Sequence, residues 1–367
     1  MKLLLVSHSS NIGGTETCFG SVLQALAARP EVDLIAAYPD GVHATEWESL
    51  AQRIPYAGSL PPRFYIKGYA GCALRAWTQT GALRRSVREW RPDAVVVFTS
   101  VAVAPVAIAH QAGVPCVCYV RERISPLGVR LRLWRWLSAR VARIIAVSDA
   151  IAAEIEMAGC HNVTVVNDGI ALPERVEAAP SRMQIGFFGG YDPNKGGDVF
   201  VAAARQILDS GADVDFVYHG VATRAQEAFS ARIRRAVDES GFGDRMRFVQ
   251  SRDFTSAFDA VSLVVVPSRS EALPLVALEA LAHGRPVVAS AVGGLVDLLG
   301  DAKCGRLVPS EDAVALASAV VELTRDEAGF VAMAASGRKL VSERYSIAKS
   351  VDGLISVIES VLSGDAR

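Results

Sequence analysis

Short runs that are apolar at every position recur along this chain, and stretches with helical spacing lie between them. The first series is Lys2–Ser7, Asp33–Ala37, Ala94–Phe98, Pro115–Tyr119, Ile144–Val147 and Val163–Val166, with amphipathic stretches such as Thr15–Ala28 and Thr80–Trp90 in between. A strand that is apolar throughout, rather than at alternate positions, has to be buried on both faces. Helices between parallel strands provide that cover. The pattern predicts a doubly wound α/β domain, with ligands beyond the carboxyl ends of its strands.

The rhythm stops at Ala171–Arg182, which holds two prolines and no sustained apolar period. A second series follows: Met183–Phe188, Asp215–His219, Met246–Val249, Leu263–Val266 and Pro286–Ala289. Two tandem α/β domains are expected, 1–172 and 183–346, with a linker between them. The last helical pattern is Ser346–Leu362, with apolar residues at Ile347, Val351, Leu354, Ile355, Ile358 and Leu362. Two such domains facing a central cleft suit a two-substrate enzyme, although fold alone does not fix function.

Composition narrows the class. A chain of 367 residues that is 51% hydrophobic and 21% charged has the material for two cores and is not disordered. A formal net charge of −1 excludes a polyelectrolyte binder. The six cysteines form no C-x-x-C pair, so no zinc framework is indicated, and their scarcity suits a reducing cytosol. The apolar run Leu3–Val6 is too short for an export signal, and no stretch approaches the roughly 20 residues that span a bilayer.

The richest segment runs from Val264 to Pro286, a buried strand followed by a polar loop and a helix. Pro274 suits the first helical position, and Gly284 and Pro286 end the helix. Glu271 then lies before the helix and Glu279 inside it. Free amides at Leu273–Val276, with the positive end of the helix dipole, suit a diphosphate. Carboxylates beside such a site suit hydroxyl groups, those of ribose and sugar. Two glutamates alone also fit a helix-start charge and a solvated helix residue.

The ordered pattern P-S-x-x-E-x-x-P-x-x-x-x-E-A-x-A-x-G-x-P-V-V-A from Pro267 to Ala289, then Gly293-Gly294 and Gly305-Arg306-Leu307-Val308, resembles the retaining GT-B glycosyltransferases of family 4. The close match covers roughly 263–309, and the rest of the chain agrees in architecture. The resemblance implies two Rossmann-like domains, the final helix (about 347–367) crossing back to complete the first of them. It implies transfer of a sugar from a nucleoside diphosphate sugar, with retention, to a glycan or lipid-linked acceptor in cell-surface polysaccharide or glycolipid synthesis. No cofactor and no metal are implied. Glu271 inherits contacts to the transferred sugar and Glu279 those to ribose, while the backbone at Ala272, Leu273, Leu275 and Val276 would hold the diphosphate.

Gly189-Gly190-Tyr191-Asp192-Pro193-Asn194-Lys195-Gly196 resembles the family's G-R-L-x-x-x-K-G loop. Lys195 matches the diphosphate-binding lysine, and Gly189 opens the loop. Gly190 stands where the family has arginine, which leaves one cation fewer. This keeps open a non-catalytic or partner-dependent sugar-nucleotide binding protein of the same fold. Gly13-Gly14 matches the family's N-terminal glycine loop beside the donor. Arg121 and Glu122 follow a strand where the family places a polar or catalytic residue; they fit acceptor steering or an ordinary surface pair. Base contacts are expected from backbone near Gly220 and from Ser251-Arg252. Asn167-Asp168-Gly169-Ile170 resembles a structural turn, and Asp213-Val214-Asp215 reads as a strand start rather than a metal motif.

Charge is uneven. Between Leu60 and Ile145 there are fourteen Lys or Arg against Glu89, Asp93 and Glu122. Within this stretch, Arg130-Leu131-Arg132-Leu133-Trp134-Arg135-Trp136-Leu137 is basic and aromatic, and Arg63, Phe64, Tyr65, Lys67 and Tyr69 could join its face. Two readings fit: contact with an anionic membrane surface, or a core helix with solvated arginines. No nucleic-acid reader is visible. The expected location is the cytoplasm, with the inner face of the cytoplasmic membrane as a docking surface.

Overall fold

The computed structural model describes residues 1–11, 13–56, 69–124, 126–251, 254, 256–300 and 303–364; in helix Tyr69–Trp90 it describes side chains from Thr80 onward. The chain forms two compact units. One comprises Met1–Ala171 with Ser346–Arg367, the other Leu172–Tyr345.

The first unit holds β1 (Lys2–Val6), β2 (Asp33–Tyr38), β3 (Gln52–Pro55), β4 (Ala94–Val97), β5 (Cys116–Val120), β6 (Arg143–Ala146) and β7 (Val163–Val165). They form a sheet in the order β3-β2-β1-β4-β5-β6-β7, every pair parallel. The direction of winding reverses between β1 and β4. Strand β3 was not expected from the sequence. It is an edge strand with one buried residue, Ile54, and a proline at its end, so it lacks the apolar run that marks the central strands.

The second unit holds β8 (Gln184–Phe188), β9 (Asp215–His219), β10 (Met246–Val249), β11 (Leu263–Val266), β12 (Val287–Ser290) and β13 (Gly305–Val308). Their order is β10-β9-β8-β11-β12-β13, again all parallel, with the reversal between β8 and β11. Alternate residues divide the two faces of this sheet. Ile185, Phe187, Phe216, Tyr218, Leu263 and Val265 join the core formed with Phe200, Ile207, Leu316 and Val320. Each such side chain contributes about 1.5–3 kcal/mol by leaving water. Phe188 and His219 point to the opposite face, where Phe188 stacks on His219 and on Phe258.

The final helix, Ile347–Ser363, belongs to the first unit. Ser346 Oγ caps it by accepting from the Lys349 amide, and the Ile347 amide donates to Ile170 O at 2.8 Å. Val351, Leu354 and Ile358 are buried against that unit. The chain thus leaves the first unit after Ala171 and returns to it at Ser346, beside the point of exit. Among the described residues no helix is long and apolar enough to cross a membrane.

Candidate functional site

In a doubly wound sheet the loops that leave the two strands flanking the reversal diverge, and a crevice opens between them. In the second unit those strands are β8 and β11. The loop after β8 runs Gly189–Asp192, makes one 3-10 turn at Pro193–Lys195, and enters helix Gly197–Asp209. Asp192 caps the turn by accepting from the Asn194 amide at 2.9 Å. The loop after β11 runs from Pro267 to Pro274 and enters helix Leu275–Ala282.

The two loops are joined by three layers of contact. The Arg269 amide donates to Asn194 O at 2.8 Å, and Asn194 Nδ2 donates to Ser270 O at 2.8 Å. The Arg269 guanidinium spans Pro193 O, Asp198 and Glu311. At the centre Lys195 Nζ donates to Glu271 Oε1 at 2.7 Å, and Ser268 Oγ donates to the same oxygen, also at 2.7 Å. Burial lowers the Lys195 pKa, but the Glu271 carboxylate, through charge and hydrogen bond, outweighs it with help from Asp192 and holds the ammonium above its ordinary value. The structure thus brings Lys195 and Glu271 together from positions 76 residues apart.

Glu271 is held from below by its main chain. Gly293 follows β12 with φ +48°, and a Cβ there would stand 1.8 Å from Glu271 O. Only glycine permits this approach, which explains the Gly293-Gly294 pair. Ala272 and Leu273 are buried in the same loop. Pro274 is not the first helical residue, as expected, but the cap: its ψ of 115° is extended and helix begins at Leu275. The first amides to bond back are those of Ala277 and Leu278, both to Pro274 O. The amides of Leu275 and Val276 precede them in the first turn, where helix geometry offers no intrahelical acceptor. Glu279, half-buried, lies one turn further on.

The Gly190 position is glycine for a local reason. Its φ is +62°, and Tyr218 Oη donates to its carbonyl at 2.8 Å. Tyr191, next in line, is buried, stacks on Tyr218 with centroids 4.9 Å apart, and accepts from Arg234 Nη2 at 3.1 Å. Arg252 lies outside the described residues. Asp213 and Asp215, the D-x-D letters, are bound by Arg182 and Arg245, which gives them a structural occupation.

In the first unit the expected residues are placed differently. Gly13 caps helix Gly14–Ala27 in extended conformation, and the Glu16 side chain folds back over it. Glu16 is itself buried, with His8 Nε2 3.9 Å away. The surroundings of Gly13 and Gly14 therefore include a carboxylate that sequence reasoning missed, an acceptor suited to hydroxyls. Arg121 is not a surface residue. Its side chain is 4% exposed and bound side-on by Asp168, with Nη2 2.6 Å from Oδ1. Nη1 donates to Phe98 O, and the guanidinium lies over the Tyr119 ring. Glu122 turns back to accept from Thr99 Oγ1 and from Ser100 Oγ, the latter at 3.0 Å. Both residues tie the end of β5 to neighbouring chain ends. Asp168, read as part of a structural turn, is the partner a buried arginine requires.

In the basic stretch, helix Leu127–Ser138 turns one face to the core, while Arg132 and Arg135 are exposed. Trp134 and Leu137 are fully buried. Arg130 lies over Trp134 and pairs with Glu154, as does Arg123, and Arg135 Nε donates to Ala158 O at 2.7 Å. Arg63, Phe64, Tyr65, Lys67 and the Tyr69 side chain lie outside the described residues.

Comparison with known proteins agrees with this architecture. The family model described as glycosyl transferases group 1 matches residues 182–326, and that described as glycosyltransferase family 4 matches residues 12–173. The chain is 30% identical over 245 residues to the lipopolysaccharide core biosynthesis mannosyltransferase LpcC of Rhizobium leguminosarum bv. viciae, covering 64% of this chain and 68% of that one. It is 28% identical over 243 residues to the corresponding LpsB of Rhizobium meliloti, covering 62% and 68%. Among solved structures, HepE of Anabaena in complex with UDP superposes with a TM-score of 0.83 at 19% identity, covering 98% of this chain and 100% of that one.

Proposed function

The chain belongs to the group 1 glycosyltransferases of family 4, and we propose that its donor is a nucleoside diphosphate sugar held in the second unit. The observation that carries this reading is the 2.7 Å contact of Lys195 with Glu271 beside the first-turn amides of Leu275 and Val276. A diphosphate calls for a cation and amide donors. A sugar calls for a carboxylate that accepts from hydroxyls. This cluster offers both. Lys195 and the amides stabilise the negative charge that grows on the departing diphosphate. Glu271 accepts from hydroxyls of the transferred sugar and Glu279 from those of ribose. No step needs a resident cofactor or metal.

Retention of anomeric configuration follows from the family resemblance. The acceptor is a glycan or lipid-linked saccharide of cell-surface polysaccharide or glycolipid synthesis; the two rhizobial relatives, mannosyltransferases of lipopolysaccharide core biosynthesis, support this. A lipid-linked acceptor would draw the enzyme to the inner face of the cytoplasmic membrane. The test is a panel of UDP- and GDP-sugars titrated against the purified chain, followed by donor hydrolysis and transfer assays. One donor should bind, and Glu279→Ala should weaken it. If none binds, and Glu279→Ala changes nothing, the reading is wrong.

A further inference from the structure

We propose that Glu271 discriminates the sugar nucleotide from the bare nucleoside diphosphate by competing for Lys195. The inference rests on the donor site proposed above. Among the described residues, the two loops of this site contain the cations Lys195 and Arg269. Arg269 is committed to Asp198, Glu311 and Pro193 O. Gly190 stands where a further arginine would be expected from the family pattern. Lys195 is therefore the cation of these loops that can turn to a diphosphate, and Glu271 already holds it.

The two partners are unequally free. The Glu271 side chain is 9% exposed and its main chain is fixed against Gly293 and Gly294. Lys195 is 38% exposed on a flexible four-carbon stem. The ammonium is the part that moves. It has three donors and can touch carboxylate and phosphate together. With a bare diphosphate, however, Glu271 retains part of that ammonium, and its own charge faces the phosphates. With a sugar nucleotide, sugar hydroxyls fill the lone pairs of Glu271 and offset that opposition. Once the sugar has moved to the acceptor, the hydroxyls are gone. Among the described residues the buried carboxylate then keeps the Ser268 Oγ hydrogen bond as its side-chain partner, and an under-satisfied buried charge draws Lys195 back. The same glutamate that recognises the sugar thus loosens the product.

Calorimetric titration of UDP, GDP and the corresponding sugar nucleotides into wild type, Glu271→Gln and Ser268→Ala tests this. Glu271→Gln releases Lys195 and should bind the nucleoside diphosphate about tenfold tighter, the scale of one charge-assisted hydrogen bond. It should bind the sugar nucleotide no tighter and transfer more slowly. Ser268→Ala makes Glu271 depend more on Lys195 and should weaken nucleoside diphosphate binding about threefold, the scale of a neutral hydrogen bond. A folded Glu271→Gln that binds the nucleoside diphosphate no tighter than wild type overturns the inference. If that variant does not fold, unchanged or tighter binding by Ser268→Ala overturns it instead. Failure of wild type to bind either nucleoside diphosphate would sink the donor reading itself, and this inference with it.

Discussion

Gly220 is built against Gly190: a Cβ on Gly220 would stand 2.3 Å from the Gly190 Cα. Both Gly189 and Gly190 amides donate to His219 O, so the loop after β8 is laid directly on the end of β9. The two glycines should respond unequally to substitution. At Gly190 a Cβ meets only Val221 O at 3.7 Å, an ordinary contact, and the cost is that of a left-handed φ, about 1–2 kcal/mol. At Gly220 the backbones themselves must separate. Gly220→Ala should lower the melting temperature more than Gly190→Ala and also weaken nucleotide binding. Gly190→Arg should lose stability like Gly190→Ala but gain affinity for UDP or GDP, because it restores a cation beside Lys195. Equal melting of wild type and Gly220→Ala would show that the close approach does not matter.

Arg121 and Asp168 form a buried ion pair, and such pairs are asymmetric in what they tolerate. Asp168→Asn leaves a guanidinium buried without its anion, which costs about 3–5 kcal/mol. Replacing both partners with leucine removes the orphaned charge. The double variant should therefore be more stable than Asp168→Asn in urea unfolding. If Asp168→Asn is within about 1 kcal/mol of wild type, the pair is not the clamp its geometry indicates.

How much of this was legible follows from what each residue reports locally. The central strands could be read because Leu3–Val6 or Val264–Val266 are apolar at every position, a signal that burial on both faces imposes. Strands β3 and β13 lie at sheet edges, where polar and charged residues (Gln52 and Arg53, Arg306) interrupt the apolar run and the signal vanishes. Glu271 and Lys195 could be named separately from their motifs, but their contact spans 76 residues and depends on the order of β8 and β11. Arg121 was misjudged because charge suggests surface, and its partner Asp168 stood inside a turn-like tetrapeptide. The only hint was an acid at the end of an apolar segment, which many turns share.

Arg269 should matter for the donor more than for stability. It is 28% exposed, and its contacts to Asp198 and Glu311 are partly solvated, so each contributes at most about 1 kcal/mol. Yet it also holds Pro193 O, in the same 3-10 turn as Lys195. Arg269→Ala should melt within a few degrees of wild type while raising the dissociation constant for the sugar nucleotide. The melting curve and the titration together decide this. A variant with unchanged affinity would show that Lys195 is positioned without it.

His219 makes the second unit sensitive to acid. The residue is 4% exposed, its ring stacks on Phe188 at 4.5 Å, and neither ring nitrogen has a hydrogen-bond partner among the described residues. Burial, and secondly the positive charge of Arg247, push its pKa down from 6.5 to about 4. The unfolded chain takes up a proton that the folded chain refuses. Stability is therefore complete above about pH 6.5 and falls as the pH drops toward 4, by up to about 3 kcal/mol in all. His219→Val removes this titration and fills the site with an apolar side chain. Urea unfolding at pH 7.0 and 4.5 should show the variant losing less stability than wild type between the two. Equal losses would mean that the imidazole finds water or rearranges when protonated, and that other groups govern the acid limit.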